Sequence, residues 1–217
     1  MLQILLGAII AIITTIFIEN LRKPKLSLTL TESVSLKYEG RPAKHARYLL
    51  LDLRNSPLPR IAKWMSRNTA SQCHGFITFH HLDGQNFFGR QMTVRWSGSP
   101  EPIPMQIHME GKVGHIIDPA RLTVSSKVDI PPGEGWKVDI AAKFDDDKEC
   151  YGWSNESYLC ETPWRNPEWK IPFGRYLVKV TIVSAGERVS KIVRLINDVG
   201  RSDFRLEKAM VKDSVRS

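Results

Sequence analysis

The chain has 217 residues, 42% of them hydrophobic and 25% charged, with thirteen prolines, fourteen glycines and six tryptophans. This composition excludes a disordered, collagen-like or multi-span membrane protein, and the spread of turn formers favours short strands over a helical bundle. The net charge of +8 is uneven: residues 1–82 hold eleven Lys or Arg against four acidic side chains, and residues 83–217 hold 20 against 19, which argues against a nucleic-acid partner because a binder of that kind carries basic side chains over much of its surface.

The first segment, 1–18, reads MLQILLGAIIAIITTIFI and carries no charged side chain. Eighteen residues at 1.5 Å each span about 27 Å, enough for a short bilayer-crossing helix. A cleaved signal peptide would carry Lys or Arg before the apolar run and small residues at its end, and neither is present. Residues 19–25 form a basic juxtamembrane linker in which Arg22, Lys23 and Lys25 stand on one flank only. The lipid bilayer is thus the first expected partner, in the cell membrane, with the N-terminus outside and the C-terminal domain cytoplasmic. Three scattered cysteines, Cys73, Cys150 and Cys160, agree with that side, although a Cys150–Cys160 disulfide stays open. Gly7, Ala11 and Thr15 recur every four residues, a pattern that lets two such helices pack as a homo-oligomer.

Past Pro24 the pattern turns to alternation. Leu26–Leu30 has strict period two, 48–53 is a largely apolar strand, and 73–81 is a third, closed by Asp83-Gly84. Met92, Val94 and Trp96 alternate along a fourth, and 122–130 and 136–144 are two more around Pro131-Pro132-Gly133. The clearest pair is 176–183 and 189–195 about the turn 184–187. This many short strands without a second long helix predicts an antiparallel β-sandwich over residues 26–200, with a polar C-terminal tail at 201–217.

The run Gly174-Arg175-Tyr176-Leu177-Val178-Lys179-Val180 resembles the Gly-x-Tyr-x-Val-x-Val opening of a late strand in immunoglobulin-like and fibronectin-like modules. That resemblance implies an immunoglobulin-like sandwich in which Tyr176 makes a corner hydrogen bond. Such a module has about 100 residues, so the excess is expected as insertions near 57–72, 97–121 and 145–172.

The acidic run 145–149 suits a hard cation by residue type but reads as a polar strand end. Cys73 and His81 lie about 26 Å apart on an extended strand, too far to share a zinc ion. The Gly84–Gln91 spacing imitates a phosphate loop but lacks its Lys-Ser/Thr. No catalytic, cofactor-binding or metal residue is assigned, and no cofactor is expected. Two features remain. Tyr151, Trp153, Tyr158, Trp164, Arg165 and Trp169 are a candidate partner surface, or else a small satellite core closing one end of the sandwich. Over 57–68, Leu58, Ile61, Ala62 and Met65 fall on one side of a helical wheel and Arg60, Lys63 and Arg67 on the other. With Arg22, Lys23 and Lys25, those three are candidate membrane-surface contacts, or else the apolar side packs on the sandwich as a connecting helix whose basic face is solvated. The expectation is a membrane-anchored interaction module recognising a protein partner at the cytoplasmic face; the alternative is a membrane-localised effector or enzyme acting through oligomerisation of its helix.

Overall fold

A computed structural model describes every residue except 1, 38–43, 63, 104, 110–111, 124–126, 146, 161–163, 211–212, 214 and 216–217. In chain order the elements are α1 (Leu2–Arg22), β1 (Leu26–Leu30), β2 (Val34–Lys37), β3 (His45–Asn55), β4 (Ala70–His80), β5 (Met92–Thr93), β6 (Arg95–Trp96), β7 (Met105–Met109) and β8 (Lys112–Ile116). Then come α2 (Pro119–Thr123), β9 (Val128–Ile130), β10 (Gly135–Phe144), β11 (Cys150–Gly152), β12 (Lys170–Ile171), β13 (Arg175–Ser184), β14 (Glu187–Ile196) and β15 (Arg205–Lys208).

The strands form two antiparallel sheets. The first runs β1-β3-β10-β11-β12, with β2 also on β3 and β6 also on β10; the second runs β15-β14-β13-β4-β5, with β9 also on β4. A separate hairpin, β7–β8, lies in the expected 97–121 insertion. Leu49, Leu51 and Leu53 of β3, Val138 of β10, Ile77 and Phe79 of β4, and Val178, Val180 and Ile182 of β13 meet in one buried core drawn from both sheets. The molecule is therefore mostly β with two layers, as in a sandwich, preceded by one apolar helix. Tyr176 is buried against Phe87 and His81, with centroids at 5.5 and 6.0 Å.

Three local expectations are corrected. Residues 91–96 do not make one strand: Met92–Thr93 pairs with β4 in the second sheet and Arg95–Trp96 with β10 in the first, so the chain changes layers at Val94. Residues 122–130 begin as α2, because Asp118 accepts from the Ala120 and Arg121 amides through its side chain and carbonyl, starting a helical turn ahead of β9. The 201–217 stretch is not a free polar tail: Phe204 enters the core, β15 pairs with β14, and Asp213 takes a bidentate ion pair from Arg194 at 2.6 and 2.7 Å.

One irregularity organises the rest. Along β10 the register against β3 shifts between Asp139, opposite Leu50, and Ala141, opposite Leu49, making Ile140 the extra residue of a β-bulge. Val138, Ile140 and Ala141 all enter the main core, while Ala142 and Phe144 turn to the outer face. The same phase change buries Lys143, whose ammonium donates to Asn197 Oδ1 at 2.9 Å and the Val199 carbonyl at 2.8 Å. Burial holds that ammonium below the usual lysine range.

Candidate functional site

The aromatic segment is built on the outer face that the bulge creates. Tyr151, opposite Ala142, and the following Trp153 and Tyr158 are buried with Phe144 and Ala46 in a second apolar cluster, against which Tyr48 and Trp164 pack. Ring centroids lie 5.1 Å apart for Tyr48–Trp153, 5.5 Å for Trp153–Tyr158 and 5.2 Å for Tyr158–Trp164. Such tilted and edge-on pairs are favoured ring geometry. Trp169 belongs to the main core and donates its indole N–H to Glu156 Oε2 at 2.9 Å. The Arg165 guanidinium lies 5.4 Å from the Phe144 ring centroid and is held by Asp147 at 2.6 Å and Asp145 at 3.3 Å. Of the six residues offered as a partner surface, Tyr151, Trp153, Tyr158 and Trp169 are thus packing residues, and Trp164 and Arg165 are half-buried. They pack because the bulge puts Ala142 and Phe144 beneath them.

Beside this cluster opens a cleft of about 830 Å³. Arg90 and Glu168 pair at 2.6 Å on its wall, and Asn155, Glu156, Leu159 and Cys160 line it. Behind Asn155 lies a buried ion pair, Arg95 with Asp139 at 3.3 Å. Arg95 also donates to Asn155 Oδ1 at 2.7 Å and the Ser99 carbonyl at 3.1 Å, fixing the wall. Burial pushes the Asp139 carboxyl up to about 7, against the opposing pull of Arg95 and of a hydrogen bond from Ser97. Burial and the nearby Glu168 charge raise the Cys160 thiol, the reverse of what activates a cysteine nucleophile. The cleft presents amide, carboxylate and guanidinium groups. Cys73, Cys150 and Cys160 are all free thiols. Among the described residues, no three of His, Cys, Asp and Glu are grouped to hold a metal ion.

The other feature of consequence is the joint between α1 and the sheets. Gln3–Arg22 is long and apolar enough to cross a membrane, with a mean hydropathy of 2.2 and none of it buried in the protein. The Thr14 and Thr15 hydroxyls donate back to the Ile10 and Ala11 carbonyls, and nothing lies within 4 Å of a Cβ built on Gly7. At the helix end the chain does not swing free. The Asn68 amide donates to the Arg22 carbonyl at 2.6 Å and Arg67 Nη1 to the Lys23 carbonyl at 2.7 Å. These bonds satisfy acceptors that a helix C-terminus leaves orphaned. Buried Asn55 is the keystone: its side chain accepts from the Lys25 amide at 3.0 Å and donates to the Asn68 and Ile130 carbonyls, each at 3.0 Å.

This joint overrides the amphipathic helix expected over 57–68. Among the described residues of this stretch the helical structure is a single 3₁₀ turn, at Arg60–Ala62. The Asn68 backbone is committed on both its N–H and C=O to the helix end and to Asn55, so it cannot extend a local helix. Leu58, Ala62 and Met65 are half-buried, whereas Ile61 and Trp64 face outward, as do Arg60, Lys23 and Lys25. Lys63 lies outside the described residues. The role of Asn55 had no signal in the sequence beyond Asn-Ser-Pro at a strand end, since its partners lie 13 to 75 residues away.

Comparison with family models, with curated proteins and with solved structures finds no match to this chain.

Proposed function

We propose that this chain is a membrane-anchored β-sandwich, of immunoglobulin-like kind, that binds a protein partner at the cytoplasmic face. The observation that carries the reading is α1, an apolar helix about 30 Å long of whose described side chains none is buried in the protein. Its nine large exposed aliphatic and aromatic side chains would cost on the order of 10 kcal/mol left in water, and a bilayer removes that cost. Retention of the helix, as against cleavage of a signal, is supported by the lack of Lys or Arg before the apolar run and of small residues at its end, Thr14-Thr15-Ile16-Phe17-Ile18-Glu19. The cytoplasmic side rests on Arg22, Lys23 and Lys25 following the apolar run. The immunoglobulin-like kinship rests on the β13–β14 hairpin and the buried Tyr176 at its start.

The partner would enter the cleft and not the aromatic cluster, because the rings are spent on packing. An extended segment with amide and basic groups suits walls that offer Asn155, Glu156 and Glu168 beside the exposed Leu159. A photo-crosslinking residue at Leu159, in the full chain in its native membrane, should give a discrete protein adduct that the same residue at Phe173 does not. Absence of any adduct at Leu159 in correctly folded protein would remove the cleft as the binding site.

A further inference from the structure

We propose a second membrane contact, in which Ile61 and Trp64, on the loop between β3 and β4, enter the headgroup layer of the lipid bilayer beside α1. The inference rests on the reading of α1 as a membrane span and adds to it the depth and the attachment of the folded domain. Among the large apolar side chains of the described residues outside α1, the two most exposed are Ile61 at 95% and Trp64 at 77%. They stand three residues apart on one loop. Two half-hidden apolar residues scattered over a surface would mean little, but two nearly bare ones together need a covering.

The loop is also held at one place. Asn68 and Arg67 bond to the Arg22 and Lys23 carbonyls, and the Asn68 carbonyl is tied in turn to Asn55. It therefore stays against the last turn of α1, and where α1 spans a bilayer that turn lies at the interface between acyl chains and water. Tryptophan concentrates at this level because its ring is amphipathic. An isoleucine beside it gains by leaving water. Arg60, next to Ile61 in the chain, and Lys23 and Lys25, just past the end of α1, are exposed and match the negative headgroups of a cytoplasmic leaflet. The contact thus uses an aliphatic–aromatic wedge with a cationic rim, in place of the flat helix that residue spacing alone suggests.

The test uses the full chain in vesicles of phosphatidylcholine and phosphatidylglycerol, at a low protein-to-lipid ratio. A fluorophore is attached to one introduced cysteine at a time, Ile61→Cys, Trp64→Cys, Ile10→Cys or Phe173→Cys, in a Cys160→Ser background. Cys73 and Cys150 are buried and stay unlabelled. Nitroxide lipids carrying the quencher near the headgroup should quench positions 61 and 64 several-fold more than position 173, with a blue shift in emission. Mid-chain nitroxides should quench position 10. Equal, weak quenching at 61, 64 and 173 with position 10 fully quenched would overturn the wedge and leave the anchor standing. Loss of quenching at position 10 as well would overturn the anchor and the wedge with it. Protection of 61 and 64 that appears only at high protein density would assign the loop to contact between copies and also overturn the proposal.

Discussion

Gly75 of β4 stands opposite Ile182 of β13. A Cβ built there would lie on the Thr181 carbonyl oxygen and 2.6 Å from Ile182 Cδ1, and backbone cannot yield as a flexible side chain does. Gly75→Ala is expected to cost about 3 kcal/mol, the upper part of the usual overpacking range, read as a lowered chemical-denaturation midpoint with unchanged slope. Asp139 gives a second expectation, one of sign. Its carboxyl titrates at 3.8 ordinarily and at about 7 in the fold. Between those values the folded state holds a proton that the unfolded chain has released, so this group's contribution to stability is complete below 3.8 and is lost as pH rises toward 7. Asp139→Asn cannot titrate. The stability of the wild-type chain relative to this variant should therefore shrink from pH 5 to pH 8 in parallel melts, and a gap that widens would contradict the burial argument.

At the scale of elements, periodicity was informative where one strand kept one face. β1 appears with the bounds its alternation implies, and β10, β13 and β14 within a residue or two. It was uninformative where tertiary pairing decides. The 91–96 run alternates perfectly yet divides between two sheets, since nothing in a local pattern says which sheet a strand will join. The 57–68 wheel is genuine as a pattern, but the Asn68 backbone finds better partners in Arg22 and Asn55. The aromatic segment was legible as an aromatic cluster, and the choice between surface and satellite core was not, because it turns on the Ile140 bulge and the face to which that bulge sends Phe144. The joint itself can be tested through Asn55→Ala, which leaves the Asn68 and Ile130 carbonyls and the Lys25 amide without their partner. A loss of about 2 to 3 kcal/mol is expected. Amide hydrogen exchange should accelerate first at Lys25 and Asn68 while β13 stays protected; uniform acceleration would mean that Asn55 supports the whole core instead of the joint.

At the scale of the molecule, the helix joint and the aromatic cluster lie at opposite ends of β3. β3 runs from Asn55, at the helix joint, to Ala46, in the aromatic cluster, a distance of about 30 Å at 3.3 Å per residue. Phe173, at the turn into β13, lies at the far end with that cluster and is exposed. In cells, a membrane-impermeant thiol reagent should leave a Phe173→Cys, Cys160→Ser chain unlabelled until the membrane is opened. Labelling of sealed cells would reverse the orientation inferred from Arg22, Lys23 and Lys25.

Only Lys23, Pro24 and Lys25 separate α1 from β1. Three residues extend to about 10 Å at most, and here the Lys23 carbonyl, the Lys25 amide and the Lys25 carbonyl are all bonded to the domain, with a proline between them. Such a joint has no slack. Where α1 spans a bilayer, these three bonds make the joint a driveshaft and not a leash: a turn of the helix about its own axis, or a slide along the bilayer normal, would be passed to the sheets and so to the cleft.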